Sequence, residues 1–133
     1  GPQPLPEGGV VILHDVCTIK FLEKLDQLDN TTERTAELGA VPCEINPINS
    51  IEASDGGPLT TRYRFFTTVD LLAAVAEQAA AWKASYSGSR GASLSIVYKG
   101  KTLSLEAGIE VHRVLGRFHH MEAIMKDFNS LGV

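Results

Sequence analysis

His14-Asp15-Val16-Cys17 sets an imidazole, a carboxylate and a thiol within four residues, directly after the apolar run Val10-Val11-Ile12-Leu13. These are the groups of a nucleophile, its base and an acidic orienter. Such triads are normally gathered from distant segments, and neither a glycine-rich elbow nor a second base stands beside this one. The same residues also make a helix cap, a surface histidine and a buried thiol. A second group is His112, His119 and His120. On a helix, His112 and His119 would share a face, but the position between them is Gly116 rather than a ligand. His120 would fall with Arg113 and Arg117 on a basic stripe that repels a cation, whereas zinc needs three or four converging ligands, usually with carboxylate or thiolate among them. We therefore expect no catalytic, cofactor-binding or metal-binding residue. The stripe Arg113, Arg117 and His120 suits an acidic partner or a nucleotide phosphate, and equally the solvated side of a helix. Arg62 and Arg64 flank Tyr63 and Phe65 in the manner of a strand that stacks nucleic-acid bases. Alternation turns those aromatics inward, however, and leaves the two arginines as further interaction candidates. No glycine motif that cradles phosphate is present.

The totals exclude several partners. Over 133 residues the net charge is −4, the wrong sign for a nucleic-acid footprint and for an anionic membrane surface. No apolar run approaches the roughly 20 residues that span a bilayer. The start, Gly1-Pro2-Gln3-Pro4-Leu5-Pro6-Glu7-Gly8-Gly9, has no basic region followed by an apolar one. Gly1-Pro2 has the form of a tag-cleavage scar. Residues 1–9 are thus expected to be a scar and flexible lead-in, and residues 10–133 a single domain. Cys17 and Cys43 have no C-x-x-C spacing and read as free buried thiols of a reducing compartment, which points to the cytoplasm.

The elements that would position these residues alternate in type. Val10 to Leu13 reads as a strand buried on both faces. Phe21, Leu22, Leu25 and Leu28 then recur at three and four, predicting an amphipathic helix from Ile19, capped by Asp15 or Thr18. Residues 29–39 extend it or begin another piece that stops at Gly39. Residues 43–53, with Pro47 and isolated isoleucines, read as a short edge strand or irregular segment. Residues 60–68 alternate as a strand, with Tyr63 and Phe65 on one side and Arg62, Arg64 and Phe66 on the other. Thr67 and Asp70 resemble a capping box before a helix whose stripe is Leu71, Leu72, Val75, Ala79, Trp82 and Tyr86. A hairpin follows, with Leu94, Ile96, Tyr98, Leu103 and Leu105 on the core face. A type II′ loop at Gly100-Lys101 would pair Tyr98 with Leu103 and Ile96 with Leu105. Its other face, Ser93, Ser95, Val97, Thr102 and Ser104, is plain. Val111, Val114, Phe118, Met121, Met125 and Phe128 predict a terminal helix interrupted by Gly116, although the first part also fits a strand. The order predicts an α+β, mixed α/β two-layer domain: a small, mostly antiparallel sheet with helices on one face.

The segment "LLAAVAEQAAAWKASYSGSRGASLSIVYKGKTLSLEAGIEVHRVL" resembles the C-terminal half of the effector-associated constant component type 1 domains, a family of small bacterial conflict-system modules. The likeness lies in the Ala/Leu-rich helix ending in Trp82, the short gap, the hairpin from Leu94 to Glu106 and a closing hydrophobic helix. It covers about a third of the chain. It implies an accessory interaction module coupled to an effector or peptidase, with no catalytic residues to carry over. The leading expectation is therefore a non-enzymatic protein–protein interaction module of a bacterial cytoplasmic, defence-related system. Its partner would be an effector, peptidase or toxin, with self-association as an alternative. The second expectation is an acidic immunity protein that neutralises a toxin through a patch of Glu23, Asp26, Asp29, Glu33 and Glu37. The third is a small enzyme or ligand-binding domain using the His14-Asp15-Cys17 corner.

Overall fold

Alternation at period two, rather than helical spacing, organises most of this chain. A computed structural model describes residues 13–26, 33–51, 60–106 and 108–127. It contains strands β1 (Asp15–Leu25), β2 (Thr35–Ile51) and β3 (Thr60–Thr67), helix α1 (Leu71–Ser85), and strands β4 (Ser89–Tyr98), β5 (Lys101–Leu105), β6 (Glu110–Val114) and β7 (Arg117–Asp127). The strands lie in the order β3-β2-β1-β4-β5-β7-β6, and β3 also pairs with β7. That last pairing closes six strands into an antiparallel barrel, with β6 left as a flap on β7. The expected two-layer α+β domain is thus overturned: the sheet curls onto itself, and one helix remains among the described residues. Residues 1–9, most of the expected strand at Val10 to Leu13, and Asp29 lie outside the described residues.

Two expected helices are strands, each for a physical reason. Along β1 the inward positions are Cys17, Ile19, Phe21 and Glu23, all buried. A carboxylate in an inward position hides the alternation, while the outward Leu22 mimics a helical neighbour of Phe21. Along β7 the inward residues are Met121, Ala123, Met125 and Asp127. Met and Ala favour helix locally, but β7 is held by β6, β3 and β5, and tertiary pairing overrides propensity. The segment expected to stop a helix at Gly39 instead enters β2. There the β1–β2 register shifts between Cys17 and Ile19, and Ala40 adopts φ 54°. The stretch at 43–53, expected as a short edge strand or irregular segment, continues the long β2 as far as Ile51, with Pro47 paired to Tyr63, and residues 52–53 lie outside the described residues.

The core is built from inward residues of six strands, among them Ile19, Cys43, Phe65, Ile96, Leu103, Met121 and Met125. The expected helix from residue 71 is present. Its N-cap is Asp70, whose Oδ1 accepts the Ala73 N–H at 3.1 Å, whereas Thr67 is spent elsewhere: its hydroxyl donates to the Pro42 carbonyl and accepts the Val69 N–H. Leu71 and Trp82 are the buried residues of α1 and belong to the core. At the helix C-terminus, Arg34 joins three elements. Its guanidinium grips both carboxylate oxygens of Glu23 at 2.9 and 2.6 Å and donates to the Trp82 carbonyl and the Ser85 hydroxyl. It also stands over the Trp82 ring at 5.9 Å. This is the bidentate geometry for which Arg is suited.

Both two-residue hairpin loops use backbone at positive φ. In β4–β5, Lys99 (φ 48°) and Gly100 (φ 78°) form the loop, and Tyr98 pairs with Lys101 and Ile96 with Leu103. The expected loop at Gly100-Lys101 is therefore moved by one residue and the ladder by two. A slip of two keeps every leucine on its face, so face matching leaves the register undecided and the turn chooses it. Two positive φ angles make a type I′ turn, whose twist matches the strands. Leu115 (φ 51°) and Gly116 (φ 78°) repeat the arrangement between β6 and β7, which replaces the expected terminal helix.

Leu115 is 90% exposed and gains little burial to offset its left-handed backbone. Leu115→Asn is expected to raise stability by about 1 kcal/mol, read as a higher urea midpoint at unchanged slope. Hydrogen bonds from Arg34 hold the Glu23 carboxyl down to about 2, against an ordinary 4.5. Because the folded value is the lower one, ionised Glu23 favours the folded state. This contribution is complete above pH 4.5 and is lost as the pH falls through about 2. Glu23→Gln should therefore flatten the dependence of unfolding midpoint on pH across that window.

Candidate functional site

The His14-Asp15-Cys17 corner lies at the start of β1, and its groups point to different partners. The exposed His14 ring meets the Glu44 carboxylate at 3.1 Å. Asp15 accepts the Tyr98 hydroxyl at 2.8 Å and the Ile45 N–H at 3.1 Å. Burial would raise the Asp15 carboxyl, but the bonds from Tyr98 and Ile45, with the Lys99 and His14 charges, hold it below the usual range. Cys17 turns inward, 3% exposed. It lies diagonally across the β1–β2 ladder from the equally buried Cys43, since Cys17 pairs with Val41 and Asp15 with Cys43. Hydrogen bonding to Cys17, together with burial, pushes the Cys43 thiol up. The triad of the third reading is not assembled: His14 faces Glu44, Asp15 faces Tyr98 and Cys17 turns inward.

The histidines of β6 and β7 come together differently from their helical placement. On the outward side of this ribbon, Glu110 pairs with Glu122 and His112 with His120. The His112 and His120 rings stack at 4.4 Å and 9°, and Phe66 from β3 stacks on His120 at 4.2 Å. The Glu122 carboxylate lies 3.1 Å from His112 Nε2 and 3.0 Å from His120 Nε2. The hydrogen bond from His120, opposed by partial burial and helped by the His112 and Arg64 charges, holds the Glu122 carboxyl below its usual range. Ligand atoms of His112, His120 and Glu122 lie within 4.8 Å of one another. His119 lies against the edge of His120, with their Nδ1 atoms 2.7 Å apart.

Of the five residues expected to meet a partner, only His120 and Arg64 come together, both against Glu122. Arg113 and Arg117 are exposed beside the β6–β7 turn. His120 is occupied by the stack and by Glu122. Arg62 pairs with Glu106 at 2.8 Å, and Arg64 stands 3.9 Å from Glu122. The acidic patch is likewise thinned: Glu23 is buried against Arg34, and Asp26 pairs with Arg90 at 3.7 Å, while Glu33 and Glu37 are exposed. Glu110 and Glu122 were not among the candidates. The signal that would have found them is the mirrored pair Glu110-x-His112 and His120-x-Glu122 about Gly116.

A groove of about 580 Å³ runs between α1 and the wall formed by β1, β4 and β5. Leu22, Leu72, Val75, Leu94, Leu105 and Ile109 give it an apolar lining, and Ser93, Ser95, Thr102 and Ser104 add hydroxyls. Lys24 is the single charged residue of the lining. By contrast, the apolar space among Phe65, Leu71, Ile96 and Met121 inside the barrel is too small for a water molecule. No helix among the described residues is long and apolar enough to cross a membrane. Comparison with protein-family models, curated proteins and solved structures finds no match to this chain.

With both thiols inside the barrel, Cys17 and Cys43 should react with a maleimide only as fast as the barrel opens. Mass spectrometry of the folded protein should show no early adduct, and full labelling of both thiols in denaturant. Immediate labelling of the native chain would place one of them at the surface.

Proposed function

We propose that this chain is a protein–protein interaction module of a bacterial cytoplasmic, defence-related system, and that its partner docks in the groove between α1 and the β4–β5 hairpin. The groove is the observation that carries this reading. Leu72 and Leu22 are 49% and 40% exposed along it, and apolar surface gathered in one concavity gains most by being covered. The lining has hydroxyls and almost no charge, so it favours an amphipathic segment that sets apolar side chains on the leucines and polar groups on the serines. Both α1 and the hairpin belong to residues 71–115, the segment that resembles the effector-associated domains. Two free buried thiols fit a reducing compartment. The immunity reading has less to stand on, because Glu23 is buried against Arg34 and Asp26 is paired with Arg90 at the surface.

Leu72→Glu places a charge in the groove at an exposed helix position and should leave the fold intact. A photo-crosslinker at Val75 should capture a partner from cells of the source organism, and the capture should fall about tenfold or more with Leu72→Glu. A crosslinker at Leu115, beyond the groove, serves as the control. Equal capture by the wild-type and Leu72→Glu chains, at unchanged circular dichroism, would refute the docking site. Recovery of the chain's own copy, confirmed by sedimentation, would replace the hetero-partner with self-association.

A further inference from the structure

We propose that His112, His120 and Glu122 form a binding site for a divalent transition-metal ion of the zinc class, with Glu110 beside it. The imidazoles supply nitrogen and the Glu122 carboxylate supplies oxygen, the donor set that suits zinc when two histidines and a glutamate converge. The spacing fits as well. A tetrahedral ion with bonds of about 2.0–2.1 Å has ligand atoms about 3.3 Å apart along each edge. The two edges that meet at Glu122 have this length: His120 Nε2 to Glu122 Oε2 at 3.0 Å and His112 Nε2 to Glu122 Oε2 at 3.1 Å.

Three further observations point the same way. Glu110 and Glu122 sit directly opposite one another on the ladder, where like charges destabilise a sheet unless something positive lies between them. His112 Nε2 is shielded from solvent yet makes no hydrogen bond of acceptable geometry, despite its short distances to both carboxylates. Its lone pair is thus available to an ion. Finally, His120 has the outer support that metal-bound histidines require: with Nε2 on the ion, Nδ1–H donates to His119 Nδ1 at 2.7 Å. Arg64 approaches Glu122 through Oε1, leaving Oε2 toward the histidines. His120 is sandwiched between Phe66 and His112 and stays fixed. His112 lies on the outside of that stack, 40% exposed, and is the ring that swings until both lone pairs meet the ion.

The test uses the full chain, stripped with a chelator and titrated calorimetrically with zinc chloride in a phosphate-free buffer. One ion should bind per chain, and cobalt(II) should give the visible absorption of a tetrahedral nitrogen–oxygen site. His112→Ala and Glu122→Gln should each weaken zinc by about tenfold or more, while His14→Ala, which breaks the separate pair with Glu44, should leave it unchanged. Glu122→Gln is isosteric and carries the test if His112→Ala fails to fold. The proposal is overturned by no binding at about 100 µM zinc, by equal affinity in the wild-type and Glu122→Gln chains, or by a thiolate-to-cobalt charge-transfer band, which would move the ion to Cys17 and Cys43.

Discussion

Closure of the sheet by the β3–β7 pairing is the constraint on which the rest of this structure depends. An open sheet of these strands would leave two edges of unpaired backbone groups, a liability for any soluble protein. Joining β3 to β7 removes both edges from the six-stranded body and leaves only the short β6 as a flap. Closure also divides the side chains strictly, because successive residues must face the interior or the outside. In a barrel of six strands the interior is narrow. Phe65, Ile19, Ile96, Leu103 and the two methionines fill it, and the small apolar space beside Leu71 is too small for a water molecule. Ligand chemistry is thereby displaced to the outer surface, to the mouths and to the groove beside the helix.

The same constraint explains the polar groups inside. Glu23 falls on an inward position of β1 and cannot turn away without reversing Phe21 and Ile19 as well. A buried carboxylate without a partner is costly, and Arg34 meets that demand by holding both oxygens. Arg34 also reaches the last turn of α1, so one guanidinium links β1, the approach to β2 and the helix terminus. At the opposite end of β1, Asp15 has a parallel part, tying Tyr98 of β4 to the backbone of β2. The effect of these pairs on geometry is direct: they fix how β1 meets its neighbours and where α1 ends, and hence the wall of the groove.

Both candidate sites lie on surfaces that closure leaves outside. The Ser/Thr face of the β4–β5 hairpin is featureless on its own, but α1 brings Leu72 and Val75 beside it and turns a plain wall into one side of an amphipathic groove. The β6–β7 ribbon gathers two histidines and two glutamates because its residues alternate outward in step with those of β3, which adds Phe66 behind His120. Neither surface is visible in any single element.

Much of the local chemistry is legible from the sequence alone. The helix at 71–85, the inward set Leu94, Ile96, Tyr98, Leu103 and Leu105, and the two sides of β3 all follow from periodicity, since apolar spacing records which side of an element meets the core. Periodicity fails where a polar residue faces inward. Glu23 and Asp127 broke the alternation of β1 and β7, and the partners that make their burial tolerable, Arg34 and Lys101, come from elsewhere in the chain. Register was also beyond it. Sliding the β4–β5 ladder by two residues preserves every face, so only the backbone of the turn distinguishes the alternatives. The ribbon makes the point most sharply. Continued from its turn, the register would set His112 opposite His119, and the shift between His112 and Arg113 sets it opposite His120 instead. The sequence alone determined which residues carry imidazole and carboxylate and that they lie two apart. The tertiary structure, through one bulge and the pairing of β7 with β3, decided which of them meet.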